Sequence, residues 1–344
     1  MRSMQRRSTR TRALATATLA GLTALTLVAC STGETGGGSN NSGDGSLSAV
    51  NIIAPADPGG GWDQTARAVA QIALSSDLVS TAPVTNIGGA GGTVGLASLA
   101  TEQNPHTLMV TGLVMVGAVE TNQSGTRIED TTPIAKLTEE SLVVVVPEAS
   151  PYETIDDLVD AIVEEGPAIA VTGGSAGGAD HILAGMLLTS AGVDPSEVTS
   201  TLNYIANSGG GEAVTMLLGN NVQAGISGAG EFIEQINAGS LRALAVSGPE
   251  RLESLPDAPT LIESGYDVEL TNWRGVLAPG NISEEDRQLL IDFVTELHGT
   301  EAWQEALTTN GWDDAFMPGD EFDTFLTANI TEVQETLRTI GLTE

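Results

Sequence analysis

Four glycine-rich turns, each placed directly behind a short β-type run, constrain this chain more than any other feature. They are Asp57-Pro58-Gly59-Gly60-Gly61-Trp62-Asp63, Gly88 to Gly95, Gly173 to Asp180, and Ser208 to Gly211. The runs ahead of them, Val50–Ala54, Val84–Ile87, Ala168–Thr172 and Leu202–Ile205, are mostly aliphatic or β-branched, as strands are. Behind them the apolar spacing turns helical: from about Trp62 to Ser75, near Val94 to Thr101, through Leu187, and from Glu212 to Leu218. Repetition of strand, turn and helix predicts an α/β fold with mostly parallel sheets flanked by helices. Right-handed crossovers then bring the turns together at the carboxyl ends of the strands.

Further runs extend the pattern. Leu108–Thr111, Val222–Ile226 and Leu241–Val246 read as strands, and Leu142–Val146 is a continuous β-branched run suited to burial on both faces. Val268–Ala278 reads as one long strand. Phe232, Ile233 and Ile236 make the apolar face of a helix over Glu231–Asn237. Two C-terminal helices follow, one with Leu289, Leu290, Phe293, Val294 and Leu297 on one face. The other carries Phe322, Leu326, Ile330, Val333, Leu337 and Ile340. No fixed-period repeat runs through the chain.

The first 29 residues are of a different kind. Arg2, Arg6, Arg7, Arg10 and Arg12 precede an uncharged stretch from Ala13 to Ala29, the layout of a secretory signal. Four threonines break that stretch, which disfavours a permanent span. It ends in Leu27-Val28-Ala29-Cys30, which resembles a bacterial lipobox and makes Cys30 the expected lipidation site. Cys30 is the chain's one cysteine, so no intrachain disulfide is available. From Cys30 to Ser48 the sequence is rich in Gly, Ser and Asn and reads as a flexible tether.

Beyond the signal, eight basic residues face 45 acidic ones, a net charge of −37, and Lys136 is the lone lysine. That balance argues against nucleic acid, whose recognition rests on cations neutralising phosphates. It also implies self-repulsion that salt screens. The expected result is a thermal unfolding midpoint that climbs steadily from low to molar sodium chloride; a flat midpoint counts against it.

With so few cations, an anion must be held largely by dipoles. Small turn residues let a ligand approach the backbone, and the first-turn N–H groups of a helix point outward. A P-loop is impossible with Lys136 alone. GGAGGTVG does not make a dinucleotide fingerprint, because Val94 stands at the third glycine position. Gly173-Gly174-Ser175-Ala176-Gly177 does match GxSxG between a strand and a helix, so a cell-surface serine esterase using Ser175 is the alternative reading. Its base would have to be His181, in the same helix, or His298. His106, His181 and His298 show no metal-ligand spacing.

Read in order, the turns resemble the substrate-binding proteins of tripartite tricarboxylate transporters, the TctC or Bug family. Pro58, Gly59, Gly60, Gly61, Asp63, Ala66 and Arg67 match its first turn and helix. Asn86, Gly89, Ala90, Gly91 and Gly92 match its second signature. Tyr204 with Gly209–Gly211 and Leu217-Leu218-Gly219 follow, then Leu241-Arg242-Ala243-Leu244-Ala245-Val246, Arg251-Leu252 and Pro256, and finally Trp273, Gly275 and Ala278-Pro279.

The resemblance implies a two-lobed, hinged, periplasmic-binding-protein-like fold of the Venus-flytrap type, one sheet per lobe. Lobe 1 would span 49–146 and 270–344, and lobe 2 would span 147–269. It implies a monomeric receptor with no cofactor, a small carboxylate ligand and membrane transporter subunits as partners. The carboxylate would be clamped between Asp57–Asp63 and Gly174–Asp180 by backbone N–H groups and waters. Gly59, Gly60 and Gly61 would be donors and Ser175 would add a hydroxyl, with Gly174, Ala176, Gly177 and Asp180 completing that turn. Asp57 and Trp62 would flank the ligand, and Thr111, Tyr204 and Ser227 would face its distal end. Asp63 would cap its own helix, and whether Arg67 reaches the cleft is open. Two departures bear on the ligand. Ala206 and Asn207 stand where the family often has a basic residue, and Arg274 stands where it has an aromatic.

Overall fold

The computed structural model describes residues 47–207 and 210–343. Cys30, the signal and nearly all of the tether lie outside them, as do Ser208 and Gly209 of the fourth turn. Among the described residues, eleven strands form two sheets. The first sheet takes β1 (Asn51–Ala54), β2 (Val84–Asn86), β3 (Thr107–Gly112) and β4 (Thr132–Glu139). The second takes β5 (Leu142–Pro147), β6 (Ala170–Gly173), β7 (Asn203–Ala206), β8 (Ala224–Gly228) and β9 (Leu241–Val246). Then β10 (Arg274–Ala278) and β11 (Asp313–Pro318) return to the first. The spatial orders are β11-β4-β10-β3-β1-β2 and β7-β6-β8-β5-β9.

The two-lobed α/β expectation holds, but the sheets are mixed rather than mostly parallel. Parallel pairing is confined to β1–β2, β1–β3, β6–β7 and β6–β8. The remaining pairs are antiparallel. The cause is the crossing between lobes. Strands β3 and β8 run toward the joint, where Gly112 and Gly228 end them. Strands β5 and β10 begin at the joint, so Leu142 pairs with Gly228 and Arg274 with Gly112, and both strands run away from it.

Two expectations about this joint are corrected. Leu142–Val146 does not close the first lobe; it is buried throughout as an interior strand of the second sheet, between β8 and β9. The long strand expected over Val268–Ala278 is a strand only from Arg274, because the residues before it span the gap between sheets. There the two crossings pair with each other. Glu140 N–H donates to the Asn272 carbonyl at 3.2 Å, Asn272 N–H returns a bond to Glu140 at 2.9 Å, and Ser141 bridges Thr271.

Helices occupy the expected places: Gly61–Ser75, Thr93–Leu99, Ala179–Ser190, Gly210–Leu218, Ala229–Asn237, Glu284–His298 and Asp320–Thr339. The last buries Phe322, Leu326, Ile330, Val333 and Leu337, the predicted face. Trp273 packs edge-on against Phe322 and Phe325, and its Nε1–H donates to Asn329 at 2.9 Å. Beyond that helix, Ile340 abuts Gly185, where a Cβ would lie 2.7 Å from its Cδ1, so the C-terminus braces the second lobe. A helix the periodicity missed, Ile155–Glu165, starts at a capping box in which Thr154 Oγ1 accepts from Asp157 N–H and Asp157 accepts from Thr154 N–H. The helix Leu113–Thr121, also missed, begins directly after β3 and faces the second lobe.

Candidate functional site

Strand carboxyl ends converge on a cleft of about 500 Å³ between the sheets. The first lobe contributes the loop after β1 (Pro55–Asp57, Gly60–Trp62) and the loop after β2 (Gly89–Gly92). From the second come Gly174–Ala176 after β6, Ala206 and Asn207 at the end of β7, and Ser227 and Gly228, the last residues of β8. Glycine at the turn tips lets the lobes approach. A Cβ on Gly91 would lie 3.6 Å from both Cβ and Oγ of Ser175.

Nine of the thirteen expected ligand residues line this cleft: Asp57, Gly60, Gly61, Trp62, Gly174, Ser175, Ala176, Asp180 and Ser227. Four do not. Gly59 N–H donates to Asp63 Oδ2 at 2.9 Å, so it is not aimed at a ligand. Gly177 N–H donates to His181 Nδ1 at 3.1 Å. Thr111 is fully buried in β3 and donates to Met115 Sδ at 3.4 Å. Tyr204 lies outside the cleft lining: its ring stacks on His181 with centroids 4.1 Å apart, and its hydroxyl donates to the Gly174 carbonyl at 3.1 Å. Tyr204 therefore shapes the Gly174 turn from behind.

Asp63 binds its own helix terminus and neighbours, accepting from Gly59 N–H, from Asn86 Nδ2 at 2.8 Å and from Arg67 Nε at 2.9 Å. This answers the question of Arg67, which is held by Asp63 and Asn86 outside the cleft lining. Ser175 Oγ makes no hydrogen bond to a histidine among the described residues. His181 has its Nδ1 engaged by Gly177, and burial pushes its pKa down to about 4, leaving the ring neutral. No group of three or more His, Cys, Asp or Glu with metal-holding geometry occurs among the described residues.

The cleft also holds charged groups that the turns did not announce. Arg274, at the start of β10, is 6% exposed and forms an ion pair with Glu140, which is 4% exposed. Glu140 Oε1 also accepts from Asn272 Nδ2 at 3.1 Å. Glu231 accepts from the Ser227 hydroxyl, and its pKa is raised by burial and by Glu140. Asp180 accepts from Gly174 N–H at 2.6 Å. Burial carries its pKa up to about 8, with Glu231 and Glu140 adding and the Gly174 N–H and Arg274 opposing. The expectation of an anion held largely by dipoles left out this guanidinium, which lies in the cleft wall. Its one sequence signal was the departure at Arg274 from the aromatic of the resembled family.

Two α/β sheets joined by paired crossings around a polar cleft make a two-lobed solute-binding body, and solved structures share this fold. The periplasmic binding protein BugD superposes with a TM-score of 0.76 at 23% identity, covering 86% of this chain and 98% of its own. MatC from Rhodopseudomonas palustris, solved with malate, gives 0.72 at 22% identity, covering 86% and 99%. Among sequence relatives, an Agrobacterium vitis protein of the UPF0065 group is 34% identical over 248 residues, 71% of this chain and 69% of that one. BugT of Bordetella pertussis is 26% identical over 302 residues, 85% and 89% of the two chains. The sequence profile described as tripartite tricarboxylate transporter family receptor, TctC, matches residues 65–342, and the chain belongs to that family.

Proposed function

We propose that this receptor closes its cleft on a small di- or tricarboxylate and presents it to the membrane subunits of a tripartite transporter. It works as a monomer outside the cell membrane, held there by a lipid on Cys30. The observation that carries the reading is the placement of the Gly61–Ser75 helix. Its first turn, Gly61 and Trp62 behind Gly60, opens into the same cleft as the Gly174–Ala176 turn of the other lobe. Outward N–H groups at a helix N-terminus, on the end with partial positive charge, favour a carboxylate. The fold relatives solved with malate, and with adipate in another R. palustris protein, support a dicarboxylate of about that size.

Closure draws on the ligand's preference for the closed form. A ligand at 100 times its Kd stabilises by about 2.7 kcal/mol, which for a body of this size is a rise in Tm of roughly 4–5 °C. A thermal-shift panel of succinate, malate, adipate, citrate and monocarboxylate controls tests this. A rise confined to di- or tricarboxylates is expected, and a panel without any shift counts against the reading.

A further inference from the structure

Among the described residues that line the cleft, Arg274 is the single cation. Its guanidinium lies against Gly61, where a Cβ would overlap Nη2 and stand 2.9 Å from Cζ and 3.2 Å from Nε. Its other flank lies over the Trp312 ring, with Cζ 5.6 Å from the ring centroid. Nη2 donates to Glu140 Oε1, and Glu140 is the one acceptor Arg274 meets among the described residues. A guanidinium carries five N–H donors in a fixed fork, so the bond to Glu140 leaves donors for a ligand in the cleft that Arg274 lines. The fork suits a carboxylate approached edge-on by two parallel bonds.

Glu140 is placed as a rival for that fork. It sits on the first crossing between lobes, bonded through backbone and side chain to Asn272 on the second, and against Gly228 of β8, where a Cβ would lie 2.7 Å from its Oε1. Its carboxylate neutralises Arg274 from the joint side, while the first turn of the Gly61–Ser75 helix flanks the guanidinium on the cleft side.

We propose that Arg274 is a specificity-determining residue, receiving one ligand carboxylate between its fork and the first-turn amides of the Gly61–Ser75 helix, in competition with Glu140. The assignment rests on the carboxylate reading of the cleft. A guanidinium at this place makes binding depend on the charge at that end of the ligand. Glu140 and Glu231 lie close by and disfavour a second carboxylate there, which directs the ligand's other acidic group toward Gly174–Ala176.

Calorimetry with succinate, malate, adipate and citrate tests the proposal on the full chain and three variants. Arg274→Lys keeps the charge but loses the fork, and is expected to weaken the best ligand about tenfold. The double variant Arg274→Gln/Glu140→Gln removes both charges without leaving a buried carboxylate unpaired, and is expected to weaken it at least about 100-fold. Glu140→Gln alone removes the rival anion and tightens binding several-fold. If the unaltered protein binds none of the four acids, the carboxylate reading itself falls. If it binds one and the double variant, folded by near-ultraviolet circular dichroism, binds it within threefold, the assignment of Arg274 is overturned while the carboxylate reading stands.

Discussion

Gly117→Ala yields a protein that folds at least as stably as the parent yet binds its ligand about 10–100-fold more weakly. Gly117 sits in the helix Leu113–Thr121 of the first lobe, packed on the second. A Cβ there would overlap the Gly177 carbonyl oxygen and lie 3.1 Å from the Gly177 carbonyl carbon and 3.4 Å from Ile182 Cδ1. Thr121 Oγ1, one turn on, reaches the Ala176 carbonyl at 3.5 Å. The obstacle is backbone of the very turn that lines the cleft, so no side-chain rotamer relieves it. Overpacking costs about 1–3 kcal/mol, and at 1.4 kcal/mol per factor of ten that sets the expected loss of affinity. Helix propensity acts in the opposite direction, since alanine stabilises a helix interior over glycine by about 1 kcal/mol. With the lobes apart only the second effect operates; with them together the first dominates. Urea melts of the ligand-free protein and titration of the best carboxylate separate the two. Unchanged affinity would show that the Gly117–Gly177 contact has no part in closure.

Gly117 also shows where sequence reading stops. The strand-turn-helix rhythm is local, and it placed the Gly61–Ser75 and Ala179–Ser190 helices and the turns that precede them. The direction of β5 and β10 is not local. It follows from where the chain crosses between lobes, and nothing in Leu142–Val146 distinguishes a strand leaving a joint from one approaching it. For the same reason Leu113–Thr121 was missed: a uniformly apolar segment behind a strand has no amphipathic period, because both of its faces are covered.

The site divides along the same line. Gly60, Gly61, Gly174 and Ser175 were legible because turn glycines and helix starts carry their geometry in sequence. Gly59 and Gly177 looked equivalent but lie outside the cleft lining, and the N–H groups of Gly59, Gly174 and Gly177 serve Asp63, Asp180 and His181. The Arg274–Glu140 pair joins residues 134 apart, and its meaning appears only when both crossings meet. Tyr204 keeps its influence on the site by a different route, holding the Gly174 carbonyl rather than a ligand.

Asp180 sets a pH dependence that Asp180→Asn abolishes. Its carboxyl is 7% exposed, with Glu231 and Glu140 facing it from the helix after β8 and the first crossing. Arg274 and the Gly174 N–H oppose them, and the buried hydroxyl of Tyr204 is a further neighbour. With its pKa raised to about 8, Asp180 is protonated in the folded protein at neutral pH, whereas the unfolded chain ionises it near its ordinary value of 3.8. Between those two values the folded state binds one proton more than the unfolded state, so stability falls as pH rises. The slope approaches 1.4 kcal/mol per pH unit and levels off above about pH 8, where both states are ionised. Asparagine keeps the shape and the acceptor for Gly174 N–H but has no proton to lose. The variant is therefore more stable than the parent at pH 7, by an amount on the order of a few kcal/mol, and equal to it near pH 4. Ligand affinity follows the same group. An anion beside Gly174–Ala176 favours protonated Asp180, so parental binding weakens above about pH 8, by as much as tenfold per unit. Binding by the variant stays flat across that range. Urea-melt stabilities from pH 4 to 9 that run parallel for the two proteins would remove Asp180 from the account. The difference between the proteins isolates one carboxyl from the general repulsion of a chain at −37.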